Sequence, residues 1–172
     1  MGNKPKSHLE EYVLNDVGKV YNGSYKRPIG RDWAFGQFEE AVLPAAVYIL
    51  DKASSRLRPS QRGDPIKVSR AISALVNDVD DRGVLSGRWQ PPYEPHTAPW
   101  EWSGSVAILE KYMEGHGRPV KYGQCWVFSA VTTSSMYSIK PNEIFNCLLV
   151  RIDSFRKLDI DLLNCNFLVQ TT

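Results

Sequence analysis

The chain has 172 residues, 42% of them hydrophobic, enough for one domain with an ordinary core or for part of a larger one. Its formal net charge is +2, with basic and acidic residues interleaved, so no cationic stripe points to nucleic acid or to an anionic membrane. Three cysteines, Cys125, Cys147 and Cys165, form neither a CxxC pair nor an even disulfide set, which fits a reducing, cytoplasmic compartment.

Residues 1–9 read as a polar tail. The opening "MGNKPKSHLEEYVLND" has no apolar signal core, and no later run reaches the roughly 18 to 20 apolar residues that cross a bilayer, so no membrane span is expected. N-myristoylation at Gly2 fails by one residue, since Lys6 stands where Ser or Thr is wanted.

"YVLNDVGKVYNGSY" predicts two short strands, with Asn15, Asp16 and Gly18 in the turn and Val20, Tyr21 and Tyr25 as β-favouring side chains. After a break at Gly30, the spacing of Phe38, Val42, Ala45, Ala46 and Ile49 predicts a core helix kinked at Pro44. "SSRLRPSQRGDP" is a polar loop. Asp64 before Pro65 pairs an N-cap with a first helical position, opening a helix that turns Ile66, Ile72, Leu75 and Val76 inward and ends near Asn77.

"NDVDDRGVLSGRWQPPYEPHTAPWEW" is too long to be a mere connection, and such loops carry function. "SGSVAILEKYMEGHG" predicts a third helix, capped by Ser103 or Ser105, with Val106, Leu109 and Met113 on its apolar face and Gly115 and Gly117 stopping it. "RPVKYG" is a short extended approach, and Gly123 permits a sharp turn into a helix whose first residues include Gln124 and Cys125.

Cys125 then has two readings. At a helix start, aligned peptide dipoles and free N–H groups favour the thiolate, lowering a cysteine pKa from ~8.5 towards neutrality, and the same N–H groups can hold an oxyanion. Flanked by Trp126, Val127 and Phe128, it also reads as core filler, since free cysteine is among the most buried residue types.

"YGQCWVF" resembles the active-site signature of the animal-type transglutaminases, and "DDRGVLSGRW" and "WEWSGSVAILEKY" resemble the segments that precede it in that family. "EEYVLNDVGKVYNGSY", "DWAFGQFEEAVLPAAVYILD" and "DPIKVSRAISALVNDVDD" also look like the first part of the catalytic domain. The likeness runs in unbroken order over residues 10–133. It implies the N-terminal part of a papain-like α+β core and an acyltransferase, a protein-glutamine gamma-glutamyltransferase that depends on calcium. In that chemistry a cysteine thiolate attacks a protein glutamine, ammonia leaves, and a lysine amine or polyamine takes the acyl group. The implied partners are glutamine-donor and lysine-donor proteins and polyamines.

By the same resemblance Cys125 is the nucleophile, and Trp89 in "SGRW" matches the tryptophan whose indole N–H steadies the oxyanion. Indole is a donor only, which suits an anion. Without the family, Trp89 reads as wall packing beside Trp100 and Trp102. The loop "NDVDDRG" matches the family's calcium segment, with Asn77 and Asp81 carrying over as side-chain ligands and Val79 in place of a usual polar residue. Its bland reading is a solvated acidic turn, since no EF-hand spacing exists.

The likeness stops after Thr133. Residues 134–172 read as a divergent apolar tail containing a helix and a strand, the product of an alternative transcript or of a gene model running into non-coding sequence. The family's histidine and aspartate have no match, and His8, His96 and His116 receive no role. The chain is therefore expected to be weakly active or inactive by itself. The alternative is a non-catalytic binding or regulatory fragment of a transglutaminase.

Overall fold

The computed structural model describes residues 14–24, 26–53, 57–78, 83–139 and 169–171. The tail expected over residues 1–9, with Gly2, Lys6 and His8, most of the tail expected over residues 134–172, with Cys147 and Cys165, and Tyr25, Val79 and Asp81 lie outside them.

Strands β1 (Val17–Ser24) and β2 (Arg27–Ala34) form an antiparallel hairpin with Ser24 opposite Arg27. The turn lies at the far end of β1 from residues 15–18, where the sequence placed it. It follows Gly23, whose φ of +101° sits in the region that glycine tolerates best. Asn15 and Asp16 instead lead into β1, and the Asn15 side-chain oxygen accepts from the Val17 N–H at 3.1 Å. Gly30 does not break the strand. It pairs with Tyr21 inside the hairpin, and the Tyr21 ring fills the space over it, 3.0 Å from where a β-carbon would stand. A short third strand, β5 (Val169–Thr171), pairs antiparallel with the other edge of β1.

Helix α1 (Val42–Lys52) buries Val42, Ala45, Ala46 and Ile49 completely, as their spacing predicts. Two details differ. Phe38 precedes the helix and is 62% exposed, and Pro44 is the third helical residue, where its missing N–H breaks no intrahelical bond and requires no kink.

Helix α2 (Pro65–Val76) opens on Asp64, whose carboxylate accepts from the amides of Ile66 at 3.0 Å and Lys67 at 3.3 Å. Ile72, Leu75 and Val76 face the core, but Ile66, one residue into the first turn, points to solvent. Helix α3 (Val106–Glu114) buries Ile108, Leu109 and Tyr112, with Val106 and Met113 partly covered. Between α2 and α3 runs β3 (Leu85–Gly87), which pairs in parallel with β4 (Val120–Gly123).

Helix α4 (Cys125–Ile139) is enclosed on nearly every side and packs against α1, α2 and the hairpin. A helix covered all round needs apolar or internally satisfied side chains. Here Thr132, Thr133, Ser134 and Ser135 each donate to the carbonyl four residues earlier, at 2.8, 2.9, 3.1 and 2.9 Å. The boundary expected at Thr133 thus falls inside α4, and Ser134, Ser135, Met136 and Tyr137 are core residues. The whole is a mixed α+β arrangement. Among the described residues, no helix is long and apolar enough to cross a membrane.

Candidate active site

Two short parallel strands deliver the candidate residues. Strand β4 ends at Gly123, and Gln124 then acts as the helix entry: its carbonyl accepts from the amides of Val127 at 2.8 Å and Phe128 at 3.1 Å. Cys125 is therefore the first residue of α4, where the helix presents the positive end of its dipole. Gln124 stands just ahead of the helix rather than in it. Cys125 is also only 4% exposed, among the apolar side chains of the core, so both sequence-based placements describe it.

Trp89 follows β3 and is 51% exposed. Its indole folds back over Gly87, so that a β-carbon there would lie 2.6 Å from the six-membered ring of Trp89 and 3.5 Å from the ring of Phe128. Phe128 lies in the first turn of α4, so Trp89 and the start of the cysteine helix share one small area around Gly87.

The backbone before Trp89 is tied to the backbone before Cys125. The Arg88 N–H donates to the Gly123 carbonyl at 3.1 Å, and the Gln124 side-chain amide donates to the Arg88 carbonyl at 2.9 Å. The Arg88 guanidinium donates to the Gln90 carbonyl at 3.0 Å and to the Tyr122 hydroxyl at 3.0 Å, and lies over the Tyr122 ring. Tyr122 is held in turn by its amide on the Thr97 carbonyl at 2.9 Å and by the Trp102 indole N–H on its own carbonyl at 2.8 Å. Tyr93 and His96 pack edge-on against its ring. The long loop is thus a brace around residues 122–124. Gln124, Arg88, Tyr122 and Trp102 do this, and no sequence signal beyond the motif letters themselves marks them.

Asn77 closes α2 and forms an isolated bridge with Leu85, and the Asp78 carboxylate accepts from the Ser86 hydroxyl at 2.6 Å. The Val84 N–H returns to the Leu75 carbonyl at 3.1 Å, so the end of α2 and the start of β3 are tied together. Asp81, the other expected ligand, lies outside the described residues. Asn77 and Asp78 are hard oxygen donors of the class that calcium selects. Among the described residues no three His, Cys, Asp or Glu side chains converge as a metal cluster. His96 stands on Tyr122, while the His116 carbonyl accepts from the Tyr48 hydroxyl at 3.4 Å.

No protein-family model matches the chain. It is 59% identical over 125 residues to the hemocyte protein-glutamine gamma-glutamyltransferase of Tachypleus tridentatus, a stretch that covers 73% of this chain and 16% of that protein. It is 45% identical over 131 residues to protein-glutamine gamma-glutamyltransferase 2 of Pagrus major, covering 73% of this chain and 19% of the relative. A crystal structure of red sea bream transglutaminase superimposes with a TM-score of 0.71 at 41% identity, over 80% of this chain and 22% of that one. The chain therefore spans less than a fifth of the length of the two curated relatives.

Proposed function

From the premise that this chain carries a segment of the transglutaminase family, matching its relatives in sequence and in α+β fold over about three quarters of its length, we propose that it performs the nucleophilic part of protein-glutamine acyl transfer. Cys125 is the nucleophile and Trp89 the oxyanion donor. The observation that carries this reading is the pair of hydrogen bonds joining Arg88 to Gly123 and Gln124. They fix the residue before Trp89 to the two residues before Cys125.

The chemistry assigns each group a task. An amide is a poor electrophile, so attack needs a thiolate, which the positive end of α4 favours. The sulfur adds to the glutamine carboxamide carbon, and its oxygen takes the negative charge, accepting from the Trp89 indole N–H and from amides at the helix start. Collapse breaks the C–N bond, the nitrogen gains a proton and leaves as ammonia, and a thioester remains on Cys125. A lysine or polyamine amine then attacks that thioester, loses a proton, and regenerates the thiol with an isopeptide link. Glutamine-donor and lysine-donor proteins are the substrates of this reading, in a reducing, cytoplasmic setting. Asn77 and Asp81 would hold calcium, which would fix the loop that leads from α2 to Trp89. Departing ammonia needs a proton donor, a role that falls to none of the residues assigned above, so turnover by this chain alone is expected to be weak.

Burial of Cys125 favours a second reading, a non-catalytic binding or regulatory fragment. Carbamidomethylation separates the two, with Cys147 and Cys165 as internal references resolved by peptide mass. Modification of Cys125 by iodoacetamide near neutral pH, faster than either reference, supports the nucleophile. Modification only under denaturant supports the fragment reading.

A further inference from the structure

We infer that Gln124 is a positioning residue, whose side-chain amide holds the Arg88–Trp89 backbone against the start of α4 and so sets where the Trp89 indole N–H stands relative to the Cys125 sulfur. This rests on the reading of Cys125 as a nucleophile and of Trp89 as its oxyanion donor.

Strands β3 and β4 pair through Leu85 with Val120, Ser86 with Lys121 and Gly87 with Gly123, and there the pairing ends. One residue on, the backbone of Gln124 has turned into α4, with its carbonyl taken by the amides of Val127 and Phe128. Beyond Gly123 no strand residue is left to pair with Arg88. The Gln124 side chain does so instead: Nε2 donates to the Arg88 carbonyl at 2.9 Å, reaches the Tyr93 hydroxyl at 3.4 Å, and acts as a surrogate peptide N–H beyond the last paired residue. With the Arg88 N–H on Gly123, both main-chain polar groups of Arg88 are engaged by residues 123 and 124. The indole of Trp89, itself half exposed, inherits its place from that backbone. A displacement of about 1 Å at a reacting site can cost on the order of 100-fold in rate.

The test uses the full chain and 4-nitrophenyl acetate. The Cys125 thiolate adds to the ester carbonyl, the tetrahedral oxyanion collapses, nitrophenolate leaves with the bonding pair, and an acetyl thioester stays on the sulfur. Nitrophenolate needs no proton to depart, so the step reports on thiolate and oxyanion donor alone. The readouts are the burst of nitrophenolate and acetyl mass on the Cys125 peptide. Trp89→Phe is expected to slow acetylation of Cys125 ~100-fold. Gln124→Met, close in shape but without the donor, is expected to slow it ~10-fold or more. The diagnostic result is the double variant, no slower than Trp89→Phe within ~2-fold, because the amide acts only through the indole.

A Gln124→Met rate within ~2-fold of the unsubstituted chain, or a double variant slowed by the product of the two single factors, overturns the inference while leaving Cys125 as nucleophile. Absence of acetyl on Cys125 in the unsubstituted chain overturns that reading, and the inference with it. Should Gln124→Met lose its cooperative melt, Gln124→Asn, whose donor falls one methylene short, is read against the same criteria.

Discussion

The indole N–H of Trp33 donates to the hydroxyl of Ser105 at 2.9 Å, joining β2 to the start of α3 with both residues fully buried. The Ser134 hydroxyl of α4 lies within hydrogen-bond distance of the same oxygen, at 2.8 Å, so three elements meet there. Ser105 makes no side-chain cap on α3, and its value is this junction. Ser105→Ala leaves the Trp33 N–H unpartnered in the core, and denaturant melts should show a loss of ~1 to 3 kcal/mol. Ser134→Ala should cost less, since the one proton of Ser134 goes either to Ser105 or to the Ala130 carbonyl at 3.1 Å and the substitution leaves the Trp33–Ser105 bond in place. The reverse order of the two effects would contradict the assignment.

Gly83 is where the loop after α2 returns to its origin. A β-carbon there would collide with the main-chain carbonyl oxygens of Asn77 and Leu75, neither of which can move without opening the loop. Gly83→Ala should destabilise by ~2 kcal/mol or more. Gly63 offers the control, with open space around it. Gly63→Ala should be neutral or stabilising by up to ~1 kcal/mol, through the unfolded chain.

What the sequence made legible follows from how local each signal is. The Asp64–Pro65 cap and the Val42, Ala45, Ala46, Ile49 spacing act within one turn of chain, and both stand as read. The hairpin turn was misplaced because Asn15, Asp16 and Gly18 carry turn chemistry as strong as that of Asn22 and Gly23, and pairing across β1 and β2 decided between them. Gly30 looked like a break because nothing local reveals that Tyr21 covers it. The run of Thr132 to Ser135 hides a core helix, since back-bonding to carbonyls four residues earlier makes polar letters suitable for burial. Likewise the bond from Gln124 to Arg88 spans 36 positions of sequence, and no periodicity encodes it.

The cap on α2 carries a pH signature. Burial pushes the Asp64 carboxyl upward, but the amides of Lys67 and Ile66 and the Lys67 ammonium outweigh it and hold the group below its ordinary 3.8. A carboxyl depressed by folding stabilises the fold above its unfolded value and loses that contribution as the pH falls through the folded one. Melting temperatures of the chain and of Asp64→Asn, which keeps a capping oxygen but cannot ionise, should differ by a constant amount above pH 5 and converge below ~4. A difference that stays flat through the acid limb would remove the ionic part of this cap.

At the opposite limit stands Tyr112. Burial first, then the charges of Tyr48 and Asp78, push its hydroxyl up to about 12. That hydroxyl accepts from Lys52 at 2.9 Å, and Lys52 also donates to the Gly117 carbonyl at 3.1 Å. An acid whose folded value is raised contributes fully below the unfolded value near 10 and loses that contribution as the pH rises towards 12. Tyr112→Phe should cost ~0.5 to 1.5 kcal/mol at neutral pH and flatten the alkaline limb of the stability curve, read by denaturant melts from pH 8 to 12.

Calcium linkage tests the loop that connects α2 to β3. Its ends are pinned by Val84 on Leu75 and by Ser86 on Asp78, which fixes Asn77 and Asp78 at one end of the segment. An ion that binds only the folded chain stabilises it by RT ln(1 + [L]/Kd), about 2.7 kcal/mol at 100 times Kd. Scanning calorimetry across a calcium series should therefore raise the melting temperature of the unsubstituted chain, with magnesium giving a smaller rise because it demands stricter octahedral geometry. Asn77→Ala and Asp81→Ala should each abolish most of the calcium response while retaining a cooperative melt. A melting temperature insensitive to calcium, or a response that survives both substitutions, would leave this loop an acidic turn pinned by its own backbone.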